Sequence, residues 1–484
     1  MRILFRLARL ICLLWLASLS HLDADGIHGS TYRLVEGSTL TDDCPVCDRM
    51  ALIRPLRGSF TLVLHETNPL FSQYELKDVN FEVGSGTNRT YAIAGKGTYQ
   101  LGGEVAVLQD MTLEGQMNGQ PVYFTNTVRT VARLWPVLEI DLVQTNWSST
   151  QALSLHLRAA PFQEIWFSTL RGLTSGNRPS PGNSISSGDL ISNSGRTIRS
   201  KAELIQALQL TNTPAGLGLD AFDIGAGGEI FFALDQDTIS ESFGSLQSGD
   251  WLSDRGRLVK RNQDLTAAWA IMPPVPDLGL ESVQITDQGE MFFAIEKPAF
   301  SEVFARTFSP GEIYSTKGQV IRSSGQLYAQ FSPKGDYGLK AFYIWPSGEV
   351  WFTPAIGFQD PNLGAIQSGD LLSDQGYIVF RNLELVSAFE PLEDVSNFGL
   401  NSLFVVTDAT PAAQAPHIMT PTPEGQTASV NLHWDGPGKV FQVERADTLD
   451  GPYSPASPIM PDLDYLDPGI LSAKSSAYYR VRQW

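Results

Sequence analysis

The sequence predicts an all-β protein built from three successive β units, and three observations carry that prediction. The 484 residues include 43 Gly and 29 Pro, with 42% hydrophobic and 18% charged positions. Such a composition favours many turns and short strands over long helices. A block of roughly 60 residues recurs four times between Ser154 and Asp408. Outside that block, apolar and polar residues alternate with the two-residue period of half-buried strands.

The first unit, residues 26–145, reads as an antiparallel β-sandwich or barrel. Ser59 to Leu64 alternates cleanly, and Tyr74 to Val83 is a long extended run. Thr90 to Tyr99, Gly103 to Leu113 and Val122 to Thr130 continue the series, with Asn118-Gly119 as a turn. Strands at this spacing with no helical period belong to antiparallel sheets.

The second unit, residues 146–409, holds the repeats. Each copy opens a strand with an acid and two large apolar residues: Glu164/Trp166-Phe167, Glu229/Phe231-Phe232, Glu290/Phe292-Phe293 and Glu349/Trp351-Phe352. A Gly-acid turn follows, at Gly188-Asp189, Gly249-Asp250, Gly311-Glu312 and Gly369-Asp370. A Ser-x-x-Gly turn closes the set at Ser192/Gly195, Ser253/Gly256, Ser315/Gly318 and Ser373/Gly376. Ahead of these lie opening strands at Leu219 to Ile224, Leu280 to Ile285 and Leu339 to Ile344, each followed by a turn ending in Gly228, Gly289 or Gly348. Four strands per repeat of this length predict β-propeller blades, with an open stack of β units as the competing architecture. Small residues at the third position, Ala221, Ser282, Ala341 and Ser402, suit innermost strands crowded around an axis. The first copy departs, placing His156 there, and Leu400 to Val405 is an extra strand able to close a ring on the first copy.

After a Pro-rich linker, residues 410–425, the third unit spans 426–484. Its Trp434 strand, Val443-Glu444-Arg445, Gly451-Pro452-Tyr453 and closing Tyr478-Tyr479-Arg480-Val481 resemble a fibronectin type III-like module. That resemblance implies a small β-sandwich used as a spacer or a binding surface. The repeats look like the tandem propeller-type repeats of secreted bacterial proteins. Their Ser-x-x-Gly turn is similar to a shortened Asp-box, which implies a turn and no activity.

Arg2, Arg6 and Arg9 before the apolar run Leu10 to Leu19 have the layout of a secretory signal peptide, residues 1–20. The expected location is therefore secreted, periplasmic or cell surface. No later apolar run is long enough to span a bilayer, so no membrane span is expected in the mature chain. A net charge of −18 disfavours nucleic acid as a partner. Cys44 and Cys47, in a Cys-x-x-Cys spacing, read as a local disulfide, with a redox pair and half a zinc site as alternatives.

The acids Asp189, Asp250, Glu312 and Asp370 occupy equivalent positions, where a carboxylate caps a turn by accepting backbone N–H bonds. The pairs Asp250/Asp254 and Asp370/Asp374 are the candidate metal ligands, for Ca²⁺, although the alternation of a calcium loop is absent. Glu164, Glu229, Glu290 and Glu349 are expected in solvent at hairpin ends. Of each aromatic pair, one side chain must be core, because strand neighbours face opposite sides. The six His are scattered, and no nucleophile elbow, phosphate loop or dinucleotide fingerprint occurs. These features predict no catalytic residue and no cofactor-binding residue. The expected function is an exported, non-enzymatic binding or scaffold protein facing a glycan or protein surface, of unassigned oligomeric state. A carbohydrate-active enzyme using the repeat carboxylates, and a structural cell-surface protein, are the alternatives.

Overall fold

A computed structural model describes residues 29–47, 49–84, 91–179, 182–214, 216–286, 288–409, 414–419, 422–424, 429–470 and 476–484. The segment read as a signal peptide lies outside the described residues. The chain is all-β, with antiparallel pairing in every sheet.

Among the described residues ten strands form the N-terminal sheet: β1 (Ser30–Leu34), β2 (Thr39–Asp43), β3 (Leu52–Thr67), β4 (Phe71–Val83), β5 (Tyr91–Gly102), β6 (Leu108–Met117), β7 (Gln120–Thr125), β8 (Thr130–Val131), β9 (Leu138–Gln144) and β10 (Ala152–Ala160). The pairing runs from β3 through β4, β5, β6 and β7 to β9, and from β9 to β10. β1 and β2 both bridge β10 back to β3, so the sheet closes on itself as a barrel. Closure removes the exposed edges that would otherwise template pairing with other chains. Leu40, Phe60, Phe81, Ile93, Leu113, Phe124, Leu142 and Leu155 fill the interior. The expected boundary at 145/146 does not coincide with the end of this sheet, because β10 pairs with both β9 and β2. His156 therefore belongs to the barrel, 2.7 Å from Asp141 and 3.5 Å from Glu139, and not to a repeat strand. Cys44 and Cys47, just after β2, are joined by a disulfide.

The repeats form four four-stranded sheets. Sheets two, three and four start with the inner strands Leu219–Ile224, Leu280–Ile285 and Ala341–Ile344. Sheet one takes its inner strand from the far end of the region: Leu400–Val406 pairs with Glu164–Thr169. The four inner strands pack against one another in a closed circuit. Ala221, Ser282, Ala341 and Ser402 are fully buried there, as a crowded axis requires. Two of them add bonds between strands: Ser402 Oγ accepts from Phe222 N at 2.8 Å, and Ser282 Oγ accepts from Phe342 N at 3.2 Å. Gly228, Gly289 and Gly348 sit in the hairpin turns at φ of 72°, 76° and 89°, a region that favours glycine. Each copy also contains a small hairpin after the second strand and a short helix after the fourth, neither of which the sequence pattern announces.

The C-terminal unit has two small sheets packed over Leu432, Trp434, Phe441 and Val443. Two strands of the first, His417–Ile418 and Thr422–Glu424, fall in the stretch read as a linker and pair with Ser429–Asp435. Among the described residues no helix is long and apolar enough to cross a membrane.

Candidate functional site

The repeated acids are tied into the fold. Asp189, Asp250 and Asp370 each use one carboxylate oxygen on their own turn, accepting from Ser186, Gln247 and Gln367 N at 2.8, 3.1 and 3.0 Å. The other oxygen accepts from the first residue of the short helix, Lys201, Asn262 or Asn382 N, at 2.8, 2.9 and 2.8 Å. Arg261 and Arg381 pair with Asp250 and Asp370 at 2.8 and 3.0 Å. Glu312 breaks the pattern, bonding Tyr314 Oη at 2.6 Å and Arg306 at 2.7 Å. The third helix instead caps itself with a reciprocal Ser323–Gln326 box.

Asp254 and Asp374 face a different task. Each accepts from the first apolar residue of the second strand, Ile230 or Val350 N, at 3.1 Å. Asp250 and Asp254 thus hold separate turns, as do Asp370 and Asp374. Among the described residues no group of three or more metal-ligating side chains converges.

The glutamates expected in solvent are instead partly or largely buried, Glu229 and Glu349 most of all. The Ser-x-x-Gly turn explains this. Ser192 and Ser373 donate to Glu164 and Glu349 at 2.8 and 2.7 Å, and Ser253 donates to Glu229. Glu290 pairs with Lys317 at 2.7 Å.

A cavity of about 920 Å³ opens where the inner strands of the four sheets end. It is lined by Phe231, Phe292, Tyr343, Trp345, Phe404 and Trp484, with Asp223, Gln284, Thr286, Glu290 and Lys439 among its polar groups. Phe231 and Phe292 are half-buried, whereas their neighbours Phe232 and Phe293 are fully buried, so one member of each pair faces the cavity and one the core. The residue two positions after the small one of each inner strand, Asp223, Gln284, Tyr343 or Phe404, contributes to the wall. Asp223 accepts from Ile224 N at 2.7 Å and from Ile285 N on the next strand. Gln284 clasps Ile344 through both its N–H and its C=O, at 2.7 and 3.0 Å.

The C-terminal unit supplies the roof. Lys439 donates to Ile285 O at 3.0 Å, with its ammonium 3.9 Å from Asp223 and 5.9 Å from the Phe404 ring centre. Gly438 O accepts from Gly227 N at 2.8 Å. Gly228 must be glycine: a Cβ there would lie 1.6 Å from Pro461 O. Arg199 pairs with Asp462, and Trp484 donates to Asp408 at 2.7 Å, anchoring the unit on both sides.

Near the opposite ends of the inner strands lies a second cluster. The residue just before the small one of each inner strand is Asp220, Glu281, Lys340 or Asn401. In three sheets the ladder skips this residue, leaving Asp220, Glu281 and Asn401 as unpaired bulge positions. A bulge re-aims its side chain out of the regular alternation. Asp220, Glu281 and Asn401 are nearly inaccessible to solvent. Lys340 forms an ion pair with Glu281, and Asn401 Nδ2 donates to Asp220 Oδ1 at 3.2 Å. Burial, reinforced by the Glu281 charge, pushes the Asp220 carboxyl well above its ordinary range. Burial also raises Glu281, against the pull of Lys340. Sequence reasoning passed over this cluster; the signal was a polar residue at one strand position in all four copies. A scan of protein-family models and a search of curated proteins returned no match to this chain.

Proposed function

We propose that this chain is an exported, non-enzymatic binding protein that takes a neutral glycan into the roofed cavity. In this reading the four sheets are the blades of a β-propeller and the C-terminal unit is a fibronectin type III-like module forming the lid. The observation that carries it is the cavity wall, aromatic on several sides and lined by both units. Aromatic faces suit the apolar C–H faces of sugars, and concave sites between units are where ligands most often bind.

Binding is favoured over hydrolysis by the state of the cavity's carboxylates. Glycoside cleavage needs one carboxyl that donates a proton and a second that attacks or activates water. Asp223 accepts from two backbone N–H groups, and Glu290 is paired with Lys317, so both act as acceptors.

The test uses the full chain with a panel of neutral oligosaccharides, read by calorimetry and by Trp fluorescence. Saturable binding that is lost in Phe292→Ala supports the reading. Release of new reducing ends would replace it with the enzyme, and absence of binding across the panel would sink it.

A further inference from the structure

We propose that Lys340 and Asn401 become joined by a covalent isopeptide bond between Lys340 Nζ and Asn401 Cγ, formed by the folded chain itself. This inference is independent of the ligand reading. Four observations lead to it. The two residues are equivalent in the repeat, Asn401 on the closing strand and Lys340 immediately before Ala341–Ile344, and those two strands pack together. Lys340 already contacts a proton acceptor, Glu281. The amide nitrogen of Asn401 rests 3.2 Å from the Asp220 carboxyl. The Asn401 carbonyl oxygen is buried with no hydrogen-bond partner, an expensive state for a polar atom.

Each group then has a task. Nζ gives one proton to Glu281, and its lone pair forms a bond to Cγ. As the tetrahedral centre collapses, the Cγ–Nδ2 bond breaks and Nδ2 leaves as ammonia, carrying the proton of Asp220. A second proton from Nζ restores the Asp220 carboxyl, and the proton on Glu281 departs with the ammonia as ammonium. Overall, an ammonium and a carboxamide become a secondary amide and an ammonium ion, with no oxidant or cofactor involved. Asp220 is suited to its part because burial and the neighbouring Glu281 charge raise its carboxyl well above the ordinary range, which favours the proton-carrying form. Burial alone would favour the neutral amine of Lys340, but the charge and hydrogen bond of Glu281 outweigh it, so transfer of a proton to Glu281 is the activating step. Burial of Asn401 also keeps water from competing for Cγ.

The bond would tie the start of sheet four to the strand that closes sheet one, across the seam of the ring.

Mass spectrometry of the full chain decides the matter. The expected result is an intact mass lower than that of the unlinked chain by one ammonia, with a branched proteolytic peptide joining Lys340 to Asn401. An unshifted mass in natively folded protein overturns the proposal. Loss of one water with Lys340 joined to Asp220 overturns the assignment to Asn401. Glu281→Gln keeps both partners and is expected to return the unlinked mass, with folding followed by circular dichroism. A link that persists in E281Q overturns the role given to Glu281, and if that variant does not fold the native mass decides alone.

Discussion

Trp166 and Phe404 face each other across one antiparallel ladder, their ring centres 5.9 Å apart, although one begins the repeat region and the other ends it. This pairing closes the circuit of sheets, and it makes the last strand as important to the first sheet as that sheet's own strands. Both rings join the core that also holds Val440 and Trp484 of the C-terminal unit.

Replacing Phe404 with Ala should therefore cost about 3–5 kcal/mol, the usual loss for a large buried aromatic. Ser402→Ala should cost about 1–3 kcal/mol, by leaving the buried Phe222 N–H without its acceptor. Urea denaturation of each variant checks both values. A Phe404→Ala protein as stable as the parent would mean that the ring does not depend on its seam.

The Asp250 carboxylate gives a sharper test of turn capping, because both of its oxygens are occupied. Asp250→Ala should destabilise by about 3–5 kcal/mol, since it leaves the Gln247 and Asn262 N–H groups without their acceptor and removes the counter-ion of Arg261, which keeps only the Phe243 and Ser245 carbonyls. Asp250→Asn keeps one acceptor but points an NH₂ group at a donor, so it should cost about 1–3 kcal/mol and not be silent. Thermal melts with and without Ca²⁺ would expose an error: Ca²⁺-dependent stabilisation that disappears in the Asn variant would make this a metal site.

His156 should show a measurable pH response. Its hydrogen bond to Glu139, helped by Asp141 and opposed by burial, raises its pKa above the ordinary histidine value. A raised folded-state pKa means the protonated ring is favoured by folding. The stabilisation is complete below the ordinary value of about 6.5 and is lost as pH rises through the folded-state value. NMR titration of the ring protons reports the midpoint directly. A midpoint at or below that of a free histidine would contradict the geometry, and Asp141→Asn should lower it.

The disulfide closes a loop with a sequence separation of 3. Loop-closure entropy grows with loop length, so removing this link should cost only about 2 kcal/mol or less. Cys44 and Cys47 should resist alkylation in the native protein until a reductant is added. Ready labelling of both without reductant would show free thiols instead.

Much of the architecture was legible from local chemistry. The glycines at 228, 289 and 348 announced their turns because positive φ is cheap only for glycine. The small residues at 221, 282, 341 and 402 announced crowding because no larger side chain fits a closely packed axis. The caps made by Asp250 and Asp370 were also readable, since an acid after Ser-Gly has few other partners within reach. Other features depended on distant residues. Glu229 and Glu349 look like surface acids until Ser253 and Ser373 are folded against them. His156 fits the repeat spacing, yet β9 and β2 draw its strand into the barrel, where pairing on both sides outweighs the local pattern. Asp220, Glu281, Lys340 and Asn401 lie roughly one repeat apart in sequence, and only the closed ring brings them to one end of the axis. Sequence alone determined the all-β class, the main repeat strands and their turns, because these follow from periods and backbone preferences within a few residues. The cavity, its lid and the polar cluster were decided by tertiary structure, because each is assembled from contacts between residues far apart in the chain.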